Sequence, residues 1–212
     1  DVSFNWTNDN SDTGLTETAG AGDVPVFNAT NNTNEPIVST IVVTPTYTNN
    51  GISCPGESKE FTITVNPSAQ VNEIENIEIC DGEITDPIIF ETVNLGDLSV
   101  TSYSWVNDTP DVFGLGESGE DTLDTFTAIN TGTTPLTATI TVTPTYSNLG
   151  IDCLGEAETF TITVHPGAQV NEIDNIFYCN GDLTELIEFT TTNEEGTTEY
   201  NWTNSNESIG LP

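Results

Sequence analysis

Basic residues are all but missing from this chain: Lys59 is its only lysine, and arginine is absent. Against it stand 34 aspartates and glutamates, for a formal net charge of −33. Phosphate contacts supply most nucleic-acid affinity and need Lys and Arg, so nucleic-acid partners are excluded. An anionic membrane surface would repel the chain as well. What the charge favours is cation attraction and solubility. No apolar run reaches 18 residues, so no segment reads as a membrane span. The opening Asp1-Val2-Ser3-Phe4 has no basic leader, which places any export signal outside the segment. Methionine, including an initiator, is absent, as expected of a piece processed from something longer.

Catalytic groups are equally scarce. His165 is the only histidine, and the residue at the equivalent place in a sister stretch is Asn66. A catalytic histidine would not survive that exchange. Carboxylate pairs abound by number alone, and no motif singles one out. The chain is read as a non-enzyme.

What is present is a repeat. Trp6, Trp105 and Trp202 head three related stretches, Phe4-Asn5-Trp6, Tyr103-Ser104-Trp105 and Tyr200-Asn201-Trp202. The first two tryptophans lie 99 residues apart, and the same offset carries Pro45-Thr46-Tyr47 onto Pro144-Thr145-Tyr146. It also carries Phe61–Val65 onto Phe160–Val164, Cys54 onto Cys153 and Cys80 onto Cys179. The expected division is 1–67 as the later part of one repeat, 68–166 as a complete repeat and 167–212 as the opening of another. The whole then reads as a window on a longer array.

Within the complete repeat, Leu136–Thr143 and Phe160–Val164 alternate apolar residues with threonine, the period-two signature of strands with one buried face. Shorter runs at Ile77–Cys80, Ile88–Val93, Val100–Val106 and Thr125–Asn130 read as further strands. Gly150, Asp152 and Gly155 read as a turn, with Pro144 and Pro166 at or beyond strand ends. Six or seven short strands in about 99 residues predict an all-β, immunoglobulin-like sandwich. The recurring Trp6, Trp105 and Trp202 are read as the central core aromatic, with a sugar-stacking platform as the alternative.

Two cysteines per repeat suggest an extracellular disulfide. Cys80 is placed near the start of the repeat and Cys153 in a loop returning to the same pole. This predicts a Cys80–Cys153 bridge, with Cys54 and Cys179 pairing in flanking repeats. Zinc is not expected, because no Cys-x-x-Cys occurs. Calcium is the one candidate cofactor: Asp9 and Asp12 follow the first tryptophan and Asp108 and Asp111 the second, in oxygen-rich loops. Solvated acidic loops are the plainer reading of the same residues.

The ordered set Tyr103-Ser104-Trp105-Val106-Asn107, Gly114–Gly119, Phe126–Gly132, Ala138–Pro144 and Phe160–Pro166, with Cys-x-Gly turns at Cys80 and Cys179, resembles the PKD-like repeats of Bacteroidota surface proteins. The resemblance spans essentially the whole chain. It implies tandem immunoglobulin-like (PKD-like) sandwiches in a giant, type IX-secreted, cell-surface adhesin, including gliding adhesins. Asp121-Thr122-Leu123 is similar to the O-glycosylation motif of the same bacteria and makes Thr122 a candidate modified residue. The expected role is a stalk or filament segment at the extracellular cell surface. Its expected partners are neighbouring repeats, surface polysaccharide or other cells. A carbohydrate- or ligand-binding accessory module of a secreted hydrolase and an S-layer-like coat protein are the alternatives.

Overall fold

The computed structural model describes residues 1–110 and 114–210. The strands fall into two groups. The N-terminal group is β1 (Val2–Asn8), β2 (Ala19–Ala21), β3 (Ile37–Asn49), β4 (Ile52–Pro55) and β5 (Lys59–Val65). The central group is β6 (Ile77–Cys80), β7 (Ile88–Ile89), β8 (Ser99–Asn107), β9 (Ser118–Glu120), β10 (Thr122–Leu123), β11 (Leu136–Asn148), β12 (Ile151–Leu154) and β13 (Glu158–His165). Two short 3₁₀ turns, Ser11–Thr13 and Glu207–Ile209, complete the described secondary structure.

The spine of the central unit is β11. Its side chains alternate without a break, placing Ala138, Ile140, Val142, Pro144, Tyr146 and Asn148 on the buried face and threonines on the other. On one side it pairs antiparallel with β8, from Ile140 opposite Asn107 to Asn148 opposite Ser99. On the other it pairs first with β13 and then with β12. β6 extends the sheet by running parallel to β13, and β9 closes the opposite edge. The second layer is thin. β7 pairs with β10, and Gly82, Ala128, Thr85 and Phe126 continue the ladder through backbone hydrogen bonds of 2.8–3.0 Å.

Between the layers lies one apolar core. Trp105, Ile140, Val142, Phe160, Ile162 and Val164 of the large sheet meet Phe90, Leu123, Phe126 and Ala128 of the small one. Ile77, Ile79 and Ile88 pack against its margin. Trp105 lies directly opposite Gly119, whose missing side chain lets the indole rest against the β9 backbone. Its Nε1 donates to the Thr122 carbonyl at 2.9 Å. An all-β immunoglobulin-like sandwich is therefore the architecture, as its alternating threonines require.

The N-terminal sheet repeats the large sheet of the central unit. β3 is the spine, β1 pairs on one side, β5 and β4 on the other, and β2 lies across Trp6 with Gly20 opposite the indole. Its core is small, comprising Trp6, Leu15 and Ile41 with Val24, Phe27, Val43 and Ile63 at the margin. The Trp6 Nε1 is buried with no hydrogen-bond partner among the described residues, unlike its counterpart in Trp105.

Several sequence expectations need correction. Pro144 sits inside β11 rather than at its end. Both the N–H and the C=O of the residue opposite, Tyr103, bond to Asp121, at 3.0 and 2.9 Å. The Pro144 nitrogen therefore faces the other side, in the gap where β13 has ended and β12 begins, so no ladder bond is lost. The run Ile88–Val93 contracts to two residues, and Thr125–Asn130 contributes only an isolated bridge at Thr127. The turn read at Gly150 is there, but Asp152 lies beyond it in the short strand β12 of a tight hairpin. Leu149 and Gly150 both have positive φ (50° and 80°), the two-residue turn whose twist matches its flanking strands.

The Cys80–Cys153 bridge is also overturned. Cys54, Cys80 and Cys179 are exposed and Cys153 is half-buried, and no two of them are joined among the described residues. Because β6 runs parallel to β13, Cys80 lies level with His165, beside the Leu136 end of β11. Cys153 lies opposite Tyr146, at the other end. Ten residues of strand separate those levels, or about 33 Å. A disulfide needs Cα atoms within about 7 Å. The chain enters at the hairpin pole, with Ala69 packed against Gly155, and Cys80 comes only after it has crossed to the far pole.

Candidate functional site

Asparagine is the residue that shapes the loops. Asn107 donates to the Gly116 carbonyl and accepts from the Thr109 N–H; Asn8 does the same with Leu15, Glu17 and Asn10. Ser39 Oγ also donates to Asn8 Oδ1. Fully buried Asn130 donates to Thr134 and Val164 carbonyls at 2.9 and 2.7 Å while accepting from Gly132 N–H. Asn31 repeats this with Glu35, Val65 and Thr33. An amide carries both donors and acceptor, so one side chain satisfies several loop groups that the sheets leave over.

The candidate calcium loops are built the same way. Asp9 Oδ1 accepts from the Thr40 N–H at 2.6 Å, and Asp108 Oδ1 from the Thr139 N–H at 2.7 Å. That hydrogen bond holds the Asp108 carboxyl below the usual carboxylate range. Asp12 sits in the 3₁₀ turn with its carboxylate in solvent, and Asp111 lies outside the described residues. Among the described residues no three acidic, histidine or cysteine side chains converge as a metal site. Asp9 and Asp108 each tie a loop to the spine strand.

The remaining sequence candidates separate. Trp6 and Trp105 are buried, whereas Trp202 is 53% exposed. Thr122 lies half-buried in β10, its carbonyl holding the Trp105 indole. His165 Nε2 lies 3.0 Å from Glu78 Oε2 on the exposed side of the β6–β13 edge. Trp202, Phe189 and Tyr200 line an open apolar groove with Val170 and Ile173. Their counterparts in the complete repeat, Phe90 99 residues earlier and Tyr103 and Trp105 97 residues earlier, belong to the closed core of the central unit. The groove is therefore the same aromatic cluster without its cover.

The feature with a distinctive geometry is the joint. The Leu95 N–H donates to the Asn34 carbonyl at 2.7 Å, linking the central unit to the loop before β3. Ninety-nine residues on, the Glu194 N–H donates to the Thr133 carbonyl at 3.0 Å. Supporting contacts recur with it. Asn94 Nδ2 donates to the Ser68 carbonyl, and Asn193 Nδ2 to that of Gly167. Thr92 and Thr191 hydroxyls donate to Asn94 and Asn193 Oδ1, and Asn72 and Asn171 N–H groups reach Glu91 and Thr190 carbonyls. At the first joint Tyr146, fully buried, donates its hydroxyl to the Leu95 carbonyl at 2.9 Å, and Asn148 Nδ2 reaches Asn66 Oδ1 at 2.8 Å. At the first joint Leu95 is thus held through its N–H by the preceding unit and through its C=O by its own. Reading the sequence for chemistry missed these residues; the conserved spacing of Thr92-x-Asn94 and Thr191-x-Asn193 within the chain was the available signal.

Residues 78–168 match the family model of the PKD-like domain. No curated protein and no solved structure matches the chain. The PKD-like match begins within β6 and ends just past β13, so it covers nearly all of the central sandwich and both sides of its core. The joint residues Leu95 and Asn94 fall inside it, and their partners Asn34 and Ser68 fall outside.

Proposed function

We propose that this chain is a load-bearing segment of an extended extracellular polypeptide, a stalk of PKD-like units in a cell-surface adhesin. The observation that carries this reading is the repetition of one joint. The Leu95–Asn34 and Glu194–Thr133 hydrogen bonds occur at the same offset with the same asparagine clamp beside them. A constant joint gives a constant step from unit to unit, which is the property of a filament and not of a catalyst. A 13-residue spine strand makes each step about 44 Å. The net charge of −33 adds repulsion between neighbours over a Debye length of about 10 Å at 0.1 M salt, keeping the array extended. The PKD-like similarity of residues 78–168 fits an extracellular module of this kind, and type IX export and a Bacteroidota gliding or adhesion protein are the finer form of the proposal. Its partners are then neighbouring units, with surface polysaccharide or other cells bound elsewhere on the polypeptide.

Immunogold electron microscopy of source cells, with antibody raised to this chain, tests the reading. Label along fibres projecting from the surface is the expected result. Label confined to the culture fluid and co-purifying with a hydrolase would replace it with an accessory-module role.

A further inference from the structure

Among the described strands one pair runs parallel, and it joins the first strand of the central unit to its last. β6 lies beside the end of β13, from Ile77 opposite Ile162 to Cys80 opposite His165. Hydrogen bonds extend the pairing at both ends. The Thr161 N–H donates to Asn76 Oδ1 at 2.8 Å, and the Asp81 N–H to the His165 carbonyl at 2.9 Å. From the same strand Ile77 and Ile79 pack against the margin of the apolar core. Both strands run toward the far pole, but the flanking chain reaches them from opposite sides. It comes to β6 from the hairpin pole, where Ala69 packs against Gly155, and it leaves β13 at the far pole.

We infer that the β6–β13 pair is a mechanical clamp that carries tension through the central unit. A pull on the flanking chain draws Asn76 toward the hairpin pole and Pro166 toward the far pole. The two strands are then made to slide past each other. The bonds of a parallel pair are evenly spaced along it, so a sliding load falls on all of them together. Sliding also draws Ile77 and Ile79 off the core margin and exposes their apolar surface to water. While the pair holds, tension crosses directly from β6 to β13. The chain between them, 82–157, with the spine strand and the Trp105 core, lies outside the line of load.

The neighbouring contacts support this assignment. Upstream, Ser68, Gln70 and Asn72 are held by Asn94 and Glu91 through bonds of 2.6–3.0 Å. Their loss frees only the short segment before Asn76 and leaves the clamp in place. Downstream, the Asn130 N–H donates to Asp81 Oδ1 at 2.7 Å, and the Gly82 N–H to the Ala128 carbonyl at 2.8 Å. The chain is therefore seated in the small sheet as soon as β6 ends, and β6 cannot swing away from β13. The clamp goes beyond the filament reading. It is a property of this unit's topology wherever the chain is found, so the immunogold result does not decide it.

Single-molecule force spectroscopy on the full chain, in two pulling directions, tests the inference. Forced opening reports the barrier to unfolding and not overall stability. Cys54→Ser, Cys153→Ser and Cys179→Ser leave Cys80, exposed at the end of β6, as the one thiol for a handle. Pulled by its two ends, the central unit should open in one step releasing about 300 Å, the extended length of residues 68–166 less the folded span. Pulled between Cys80 and the C-terminal end, β6 is peeled from β13 starting where Cys80 faces His165. Bonds then break one at a time, and the opening force should fall to about half or less of the end-to-end value at the same loading rate. Asn76→Ala removes the bond to the Thr161 N–H at the opposite end of the pair. It should lower the end-to-end force and leave the Cys80 force unchanged. The same opening force in both directions overturns the inference. So does an end-to-end force that Asn76→Ala does not alter.

Discussion

Gly119→Ala tests whether the tryptophan–glycine pair holds the sandwich together. A Cβ at position 119 would sit 2.6 Å from Trp105 Cζ2 and 2.7 Å from Cε2 and Nε1, against about 3.5–4.0 Å for ordinary carbon contact. The indole must retreat by about 1 Å, and it has no free space to enter, being 5% exposed within the main core. Overpacking of this kind costs about 1–3 kcal/mol. The same retreat stretches the 2.9 Å bond from Nε1 to the Thr122 carbonyl, which contributes about 0.5–1.5 kcal/mol. Restricting the unfolded chain by replacing glycine returns about 0.4–1 kcal/mol. The net expectation is a loss of about 2 kcal/mol, or a fall of about 8–16 °C in the melting temperature of a domain this size. Differential scanning calorimetry reads it directly. Gly116→Ala is the control, because its nearest neighbour would be the Ser118 carbonyl at 4.0 Å, and it should be neutral or slightly stabilising. A melting temperature for Gly119→Ala within about 2 °C of the parent, on the same scale, would refute the packing argument.

Other consequences follow from single contacts. Leu149 holds φ 50° at the β11–β12 turn while 75% exposed, and the sister turn has Asn50 at the same angle; Leu149→Asn should raise stability by about 1 kcal/mol in thermal or denaturant unfolding. Tyr146→Phe removes the hydroxyl bond to the Leu95 carbonyl and should cost about 1 kcal/mol, whereas Tyr47→Phe, at a side chain 52% exposed, should cost nothing measurable. The Asp108 carboxyl, held low chiefly by the Thr139 N–H, should titrate below the ordinary value of about 3.9 in an NMR pH series. Its contribution is then complete above that ordinary value and is lost as pH falls through the lower folded one; titration at or above the ordinary value would contradict the bond.

The period-two threonine pattern made the long strands legible, because β11 and β13 bury one face so regularly that no other period fits. β9 and β10 were not legible, since Ser118-Gly119-Glu120 and Thr122-Leu123 hold their places through pairing and the Trp105 contact, not through alternation. The turn at Gly150 was legible but the short strand β12 after it was not, although Asn50-Gly51 in the sister stretch carries the customary signal for a two-residue hairpin. The cysteine pairing failed for a topological reason. Sequence spacing does not reveal that β6 lies parallel to β13, and that one fact moves Cys80 to the far pole. The joint was half visible. Repeated Thr-x-Asn triplets marked the place, but the bond from the Leu95 backbone to Asn34 involves no side chain and leaves no trace in the residues.

Amide hydrogen exchange at Leu95 and Glu194 tests the repeated joint most directly. Both N–H groups belong to loop residues outside any strand, and Leu95 is 61% exposed, so without the joint each should exchange at the rate of an open loop. Protection of both, well above that of neighbouring loop amides, is the result the account predicts. Exchange of both at loop rates would mean that the units are not held in a constant geometry, and would contradict the filament reading at its base.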